Sequence, residues 1–417
     1  MTMTPQGTAT DTGTPETSGT PETRESRVHP RATLARMTPY VPGRTAEEVR
    51  RAYGLGDIPV VKLASNENPF GPSPRAVEAA ARALGDVSRY PDGAAAALRD
   101  RLAALFGLAR ENVTVGNGSD EVILLLALAY LEPGAEAVLA APPYAIHHKA
   151  ILTAGARPTA VALTDDTHDL PAMADALSDR TRVVFVTNPH NPTGTTVPAA
   201  ALRELAARVP PHVLLIVDEA YHDFVDDDAR HSGRDLLDLY PNVVTLRTFS
   251  KAYGLAGLRA GYALAHRDVV ETLDRIRPPF GLNSVAQAAA LAALDDEEHV
   301  ARMVAATRQG RARLLKIAHR HGLRAIPSQT NFVLMRPYPL LSPTAPNAPN
   351  APNAPDAPDA APLSSGDSGP LVEGLLRRGV IVRPGENLGM PGWMRVSVGT
   401  AEDLDRFEQA LAAALNE

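Results

Sequence analysis

Short apolar runs alternate with longer segments of helical periodicity through the middle of this chain. The apolar runs lie at 137–140, 183–187, 213–217, 243–247 and 260–264. The helical segments lie at 75–84, 94–107, 120–131, 145–154 and 198–208. Strands that alternate with helices imply βαβ units and a mostly parallel sheet. The pattern therefore predicts an α/β fold in which helices flank that sheet.

The C-terminal part of the chain follows a different pattern. Strands are predicted at Asn331–Met335, Val380–Val382 and Met394–Val398. Helices are predicted at 296–320, 371–378 and 401–415. This arrangement indicates a smaller α+β domain, joined to the rest by the long first helix, and a chain of 417 residues can bury two cores.

Two segments of low complexity complete the expected domain organisation. Residues 1–30 hold almost no large apolar side chains, so we expect a disordered tail. Residues 337–370 carry Ala-Pro-Asn and Ala-Pro-Asp repeats, and we interpret them as an extended surface insertion rather than a Pro-rich docking site. The rest divides into an N-terminal arm with part of the small domain, a large domain and a small C-terminal domain, at 31–74, 75–295 and 296–417.

The overall composition argues against several classes of function. The net charge of −7 disfavours a nucleic-acid partner, and no long apolar run suggests a membrane span. Cysteine is absent, which excludes disulfides, thiolate metal sites and a cysteine nucleophile. No metal site is expected, because the adjacent His147 and His148 diverge and lack an evident third ligand. The N-terminus shows no signal-peptide pattern, so we expect a cytoplasmic protein.

Lysine is rare in this chain, and one lysine has an unusual setting. The 41 basic residues include only four lysines: Lys62, Lys149, Lys251 and Lys316. Lys251 lies just after the apolar run 243–247, among serine, glycine and small apolar residues. A lysine with a lowered pKa can attack a carbonyl group, which an arginine cannot do. The alternative for Lys251 taken alone is a solvated loop residue.

A glycine-rich turn precedes one of the apolar helical segments. Gly116-Asn117-Gly118-Ser119-Asp120-Glu121 leads directly into Val122-Ile123-Leu124-Leu125-Leu126. Backbone N–H groups at such a helix start suit a phosphate group. The alternative is an ordinary strand-to-helix turn in which Ser119 or Asp120 caps the helix.

Two further motifs follow predicted strands at their carboxyl ends, where ligands bind in open α/β sheets. Asn188-Pro189-His190-Asn191-Pro192-Thr193-Gly194 forms a rigid turn, from which the Asn191 amide could reach a ligand oxygen. In Asp218-Glu219-Ala220-Tyr221, the Asp218 carboxylate needs a cation to offset its desolvation, and Tyr221 could reach the same ligand. The alternatives are a purely structural turn, a capping aspartate and a packed tyrosine.

Arginines accompany these motifs. Arg259 lies eight residues after Lys251, and with Ser250 it could hold a phosphate while the lysine amine stays free to react. Arg383 and Arg395 lie near predicted C-terminal strands. A guanidinium group can hold a carboxylate or a phosphate through two hydrogen bonds, although either arginine alone could be a surface charge.

The order of these motifs resembles the fold-type I pyridoxal-phosphate aminotransferases. The resemblance runs from about residue 39 to 415 outside the Pro-rich insertion, and implies a seven-stranded type of large-domain sheet. Other segments that carry it are Tyr40-Val41-Pro42-Gly43, Leu63-Ala64-Ser65-Asn66-Glu67-Asn68-Pro69 and Arg89-Tyr90-Pro91.

The resemblance implies roles for the residues that would hold pyridoxal 5'-phosphate. Lys251 would bind the cofactor covalently and later move a proton between the substrate and the cofactor. Asp218 would pair with the pyridine nitrogen. Asn191 and Tyr221 would hydrogen-bond the phenolate oxygen, and Tyr144 would stack on the ring. The phosphate would contact Ser119, Asp120, Thr248, Ser250 and Arg259. Tyr90 would reach that phosphate from a second subunit, which implies a homodimer.

The resemblance also implies the kind of substrate. Arg395 would bind the anionic group of the substrate, with Arg383 and Tyr40 beside it. The segment from Arg383 to Arg395 is similar to the corresponding segment in one group of the family. The enzymes of that group transfer the amino group of histidinol phosphate to 2-oxoglutarate in histidine biosynthesis. An aromatic amino acid aminotransferase and a specialised-metabolism enzyme of the same fold are the alternatives. Gly281 and His147 depart from the family pattern, and both are expected on the substrate side.

Overall fold

The computed structural model describes residues 29, 31–35, 37–39, 41–337 and 367–417. The strands in this part of the chain are β1 Val61–Leu63, β2 Val113–Gly116, β3 Glu136–Ala141, β4 Arg157–Ala162, β5 Thr181–Thr187, β6 Leu214–Asp218, β7 Val243–Thr248, β8 Gly261–Ala265, β9 Leu323–Ala325, β10 Phe332–Pro337, β11 Val380–Pro384 and β12 Met394–Ser397. The α-helices are α1 Ala32–Ala35, α2 Ala46–Tyr53, α3 Pro74–Ala83, α4 Ala96–Phe106, α5 Ser119–Tyr130, α6 Ala145–Ala154, α7 Leu170–Asp175, α8 Ala199–Arg208, α9 Arg267–Asp274, α10 Ser284–Leu294, α11 Glu297–Arg320, α12 Gly369–Leu376 and α13 Ala401–Leu415.

The larger sheet has seven strands in the order β2-β8-β7-β6-β5-β3-β4. The five strands from β3 to β7 run parallel to one another, and β8 pairs antiparallel with both β7 and β2. The prediction of a mostly parallel sheet of this type, flanked by helices, is confirmed.

Both faces of this sheet are covered, which explains the apolar runs that predicted it. In β6, Leu214 and Ile216 pack on the side of α5 and α6, whereas Leu215 and Val217 pack on the side of α7 and α8. A strand with two buried faces needs apolar residues at every position rather than at alternate positions. The same division between the two faces holds for β5.

The smaller sheet has the order β1-β11-β12-β10-β9. β1 pairs parallel with β11, and the other pairings are antiparallel. Its core includes Leu314 of α11, Leu375 of α12 and Phe407 of α13. The smaller α+β unit is therefore present, while the domain boundaries at 31–74, 75–295 and 296–417 stay predictions.

Several elements had no clear signal in the sequence. β4 is half-exposed at the edge of the larger sheet and contains Pro158, so it lacks the buried apolar run that marks its neighbours. α10 reads Ser-Val-Ala-Gln-Ala-Ala-Ala-Leu-Ala-Ala-Leu and packs on both α3 and α4, so it shows no single apolar face. Both elements form because of the elements that they pack against, and the local sequence pattern does not encode those contacts.

The two predicted segments of low complexity lie largely outside the residues that the structure describes. The tail at 1–30 and the insertion at 337–370 lie outside the described residues, except for a few positions at their ends. No helix in the described ranges combines the length and the hydropathy that a bilayer crossing requires. The cytoplasmic location stays a prediction.

The core of the smaller sheet should be sensitive to truncation of Phe407, which is 0% exposed. Phe407→Ala removes a fully buried ring, so the free energy of unfolding should fall by about 3–5 kcal/mol. Urea denaturation followed by circular dichroism measures this loss. Leu239→Ala is the control, because Leu239 is 63% exposed and its truncation should change stability by less than about 0.5 kcal/mol. Equal losses in the two variants would contradict the assignment of this core.

Candidate active site

A cavity of about 650 Å³ lies at the carboxyl edge of the larger sheet and extends to the smaller one. Most of the residues singled out in the sequence line it: Ser119, Asp120, Tyr144, Asn191, Asp218, Tyr221, Thr248, Ser250, Lys251, Arg259, Arg383 and Arg395. The structure thus brings together residues that are up to 276 positions apart, from Ser119 to Arg395. The roles proposed for these residues stay predictions, whereas the structure shows that the residues line one cavity.

One end of the cavity is suited to an anion. The helix α5 begins at Ser119, directly after Gly118, which has a φ of 81°. A Cβ at Gly118 would lie 2.4 Å from Nη2 of Arg259, so only glycine lets the guanidinium approach this turn. Arg259 donates to Oγ of Ser250 over 3.2 Å and to Oδ2 of Asp120 over 3.2 Å. A helix start, a hydroxyl and a guanidinium therefore face the same space.

The opposite part of the wall carries a buried carboxylate. Asp218 ends β6, and its Oδ2 lies 3.0 Å from Nε2 of His147. The imidazole of His147 stacks on Phe185, with 4.4 Å between ring centroids. The expectation that His147 lines the substrate side is therefore wrong: the ring is buried behind Asp218 and fixes the position of that carboxylate.

A hydrogen-bonded chain connects the two sheets across the cavity. Arg395 of β12 donates from Nη1 to Oδ1 of Asn191 over 2.7 Å. The Asn191 amide nitrogen in turn donates to the Tyr221 hydroxyl oxygen over 3.3 Å. Because Arg395 occupies the carbonyl oxygen of Asn191, the orientation of this amide is defined.

Lys251 points into the same space. Its Nζ donates to the backbone oxygen of Asn66 over 3.1 Å. Burial of the amine, reinforced by the positive charge of Arg395, lowers the pKa of Lys251 to about 8. An amine with this pKa is about one-tenth unprotonated at pH 7, far more than an ordinary lysine, so Lys251 can act as a nucleophile or a base.

Tyr144 supplies an aromatic wall. Its hydroxyl donates to Oδ1 of Asp120 over 3.1 Å, and its ring meets His147 edge-on at 5.3 Å between centroids. These contacts leave the ring anchored between the anion-binding end and the buried Asp218.

The two C-terminal arginines lie side by side. Arg383 of β11 is the direct register partner of Arg395 in β12. Arg383 donates from Nη2 to the oxygen of Val41 over 2.9 Å, and Arg395 donates from Nη2 to the oxygen of Ala64 over 3.1 Å. Backbone carbonyls thus aim two buried cations into one part of the cavity.

Besides His147, two sequence-derived residues of the described part of the chain do not line the cavity. Tyr90 is 81% exposed and stacks on Phe280, with 4.5 Å between ring centroids. Gly281 lies beside Glu121, whose Oε2 would be 3.3 Å from a Cβ at this position. Gly281 does not line the cavity of its own chain, and its expected place on the substrate side stays a prediction. Tyr40 lies outside the described residues.

Sequence reasoning gave no role to Asn66, although its segment carried the family resemblance. Asn66 is buried, lines the cavity and contacts both Lys251 and Tyr221. The available signal was the polar run Ser65-Asn66-Glu67-Asn68, which directly follows the short strand β1. Polar residues at a strand end therefore contribute to the cavity from the smaller sheet as well as from the larger one.

Comparisons with known proteins agree with this geometry. The family model "Aminotransferase class I and II" matches residues 58–411. A histidinol-phosphate aminotransferase of Symbiobacterium thermophilum is 46% identical, over 93% of this chain and 99% of its own length. Histidinol-phosphate aminotransferase 2 of Pseudomonas aeruginosa is 43% identical, over 92% of this chain and 96% of its own length.

Solved structures show the same similarity. The histidinol-phosphate aminotransferase of Sinorhizobium meliloti in complex with pyridoxal-5'-phosphate superposes with a TM-score of 0.79 at 28% identity, covering 94% of this chain and 98% of that one. The aspartate aminotransferase of Thermus thermophilus with maleate gives a TM-score of 0.74 at 26% identity, covering 93% and 100%.

The lowered pKa of Lys251 predicts a distinct labelling profile in protein stripped of small molecules. Only the unprotonated amine reacts, so pulse acetylation of Lys251 should rise with pH and reach half its maximum near pH 8. Peptide mass spectrometry measures this profile, with Lys62, Lys149 and Lys316 as internal references. A midpoint near the ordinary lysine value of 10.5 would contradict the proposed electrostatic setting.

Proposed function

Because this chain belongs to the class I and II aminotransferase family, we propose that it transfers an amino group from L-histidinol phosphate to 2-oxoglutarate. The products would be imidazole acetol phosphate and L-glutamate, and the pathway histidine biosynthesis. The paired guanidinium groups of Arg383 and Arg395, in the cavity that holds Lys251, are the observation that carries the substrate assignment. The names of the curated relatives support the same choice.

Pyridoxal 5'-phosphate fits the groups that the cavity presents. Its phosphate matches the start of α5, with Ser119 and Asp120, and the side chains of Thr248, Ser250 and Arg259. Its pyridine nitrogen matches the buried carboxylate of Asp218, and its phenolate oxygen matches Asn191 and Tyr221. Tyr144 offers a ring for stacking, and Lys251 offers the amine.

When bound, pyridoxal phosphate supplies an aldehyde for amines and a ring that takes up electrons as the substrate carbon loses its proton. The protein supplies the proton transfer. Lys251, with a pKa of about 8, can accept a proton at its Nζ near neutral pH and return it to a neighbouring atom. His147 holds Asp218 in place, and from that position the carboxylate would contact the ring nitrogen of the bound cofactor.

The substrate assignment rests on charge. An α-carboxylate carries one negative charge and is held well by one bidentate guanidinium, whereas a phosphate ester carries up to two charges and three acceptor oxygens. Two adjacent arginines therefore favour a phosphate ester. Since Arg395 also holds Asn191, an anion bound here is linked through one amide to the Tyr221 hydroxyl.

The proposal includes a homodimer with shared active sites. Tyr90 and Phe280 form a stacked aromatic pair on the surface, where large apolar rings stay in contact with water. A second subunit would cover this pair and receive the Tyr90 hydroxyl near its own cofactor phosphate. No nucleic-acid or membrane partner is part of the proposal, and the expected location is the cytoplasm.

A substrate panel tests the proposal. With 2-oxoglutarate as acceptor, kcat/KM for histidinol phosphate should exceed that for phenylalanine and tyrosine by about 100-fold or more, because two buried cations require a dianion. Lys251→Ala should lose nearly all turnover. Higher kcat/KM values for the aromatic amino acids would favour the aromatic aminotransferase instead.

Arg383→Gln separates the two substrate classes further. The loss of one charged hydrogen-bond donor should lower kcat/KM for histidinol phosphate by about 10- to 100-fold, with a much smaller effect on phenylalanine. The matched control is Arg378→Gln, which removes an arginine that pairs with Glu417 outside the cavity. If both variants keep full activity on histidinol phosphate, Arg383 does not bind the phosphate.

A further inference from the structure

Asn66 occupies a position that few side chains tolerate. It follows β1, is 2% exposed and has a φ of 54°, in the left-handed region where asparagine and glycine are the residues best accommodated. Glycine would satisfy this backbone conformation without filling the space. The presence of an asparagine therefore points to a use for the side chain.

The side-chain amide of Asn66 can take only one orientation. Oγ of Ser397 accepts the backbone N–H of Asn66 over 2.9 Å. The single hydroxyl proton of Ser397 is then available for Oδ1 of Asn66, 3.0 Å away. With Oδ1 held by Ser397, Nδ2 faces the hydroxyl oxygen of Tyr221 over 3.0 Å and donates to it.

Tyr221 therefore receives two amide donors. Asn66 donates from one side over 3.0 Å, and Asn191 donates over 3.3 Å with its orientation set by Arg395. Two donors on one phenol oxygen oblige its own proton to point elsewhere. Within the described part of the chain, the Tyr221 hydroxyl donates to no protein acceptor, and the remaining direction is the cavity.

The backbone of Asn66 also orders the reactive amine. Its carbonyl oxygen accepts from Nζ of Lys251 over 3.1 Å and from Nδ2 of Asn331 over 3.0 Å. One buried residue thus contacts the hydroxyl of Tyr221 through its side chain and the amine of Lys251 through its backbone.

We infer that Asn66 is a positioning residue that turns the Tyr221 hydroxyl proton toward the phenolate oxygen of the bound cofactor. The inference rests on the proposed function, because only a cofactor with an oxygen at this place gives the proton an acceptor. Ser397 acts indirectly, because its hydroxyl fixes the orientation of the Asn66 amide. Neither residue reacts: both act through Tyr221.

The charges that surround Tyr221 stay the same when glycine replaces Asn66 or alanine replaces Ser397. Asp218 and Asp120 favour the protonated phenol, Arg395 opposes them, and Nζ of Lys251 lies 5.7 Å from the centre of the Tyr221 ring. The hydrogen bond from Asn66 lowers the pKa of Tyr221, against a larger rise caused by burial. A difference between Asn66→Gly and the native protein therefore reports the loss of the amide rather than a rearranged set of charges, whereas Asn66→Asp also adds a carboxylate.

Asn66→Gly tests the inference directly, because glycine keeps the positive φ and the carbonyl that holds Lys251 while it removes the amide. The dissociation constant of pyridoxal phosphate should rise by roughly three- to ten-fold. The visible absorbance of the lysine-bound cofactor should titrate at a higher pH, since the phenolate loses an oriented donor. Asn66→Asp should have a larger effect, because it places an acceptor where Tyr221 needs a donor.

A double-mutant cycle with Tyr221→Phe shows whether Asn66 acts through Tyr221. In the Tyr221→Phe background, Asn66→Gly should change the dissociation constant of pyridoxal phosphate by less than about two-fold. The pH at which the absorbance titrates should not shift measurably in that background. An equal effect in both backgrounds, or no effect of Asn66→Gly in the otherwise native protein, would overturn the inference.

Ser397→Ala keeps the inference testable if Asn66→Gly does not fold. This variant retains Asn66 but frees its amide, so it should give a smaller effect in the same direction that also disappears in Tyr221→Phe. An effect of Ser397→Ala that persists in that background overturns the inference. If the native protein binds no pyridoxal phosphate at all, the proposed function itself fails. This outcome differs from a failure of the Asn66 inference, in which the native protein binds the cofactor but the Asn66 variants do not behave as expected.

Discussion

The parallel register of the larger sheet is the constraint on which the site depends. Thr187 at the end of β5 lies opposite Asp218 at the end of β6, so the Asn188–Gly194 turn and the Asp218 carboxylate start from the same edge. β7 ends at Thr248 on that edge and delivers Lys251 three residues later. A shift of one residue in these pairings would turn each side chain to the opposite face. The chemistry therefore follows from the same apolar runs that determine the fold.

Burial then makes the collected charges useful. Asp218 is held by His147, Arg395 by Asn191 and a backbone carbonyl, and Lys251 by the carbonyl of Asn66. Each charge keeps a fixed partner, so the cavity need not reorganise when a ligand enters. The same burial, together with Arg395, lowers the pKa of Lys251, which links the substrate anion site to the reactivity of the amine. The smaller sheet, through Arg383 and Arg395, therefore completes a site that the larger sheet begins.

The sequence predicted the fold class and the residues of the cavity well, because strand ends with polar motifs converge in a parallel sheet. It could not predict contacts made through tertiary packing. His147 departs from the family pattern, which suggested the substrate side, but its place on the helix α6 puts the ring behind Asp218. Asn66 comes from the other sheet, and its role appears only when Tyr221 and Ser397 meet it. Tyr90 does not line the cavity of its own chain, so its proposed role in another subunit rests on the family resemblance and on its exposed stack with Phe280.

Everything proposed for this cavity requires that Lys251 is the residue that binds the cofactor. Borohydride reduction of protein loaded with pyridoxal phosphate, followed by peptide mass spectrometry, fixes the cofactor to whichever lysine holds it. We expect one label per chain, on the peptide that contains Lys251, and loss of that label when histidinol phosphate is added before reduction. A label on Lys62, Lys149 or Lys316 instead, or no label on any lysine, would contradict it.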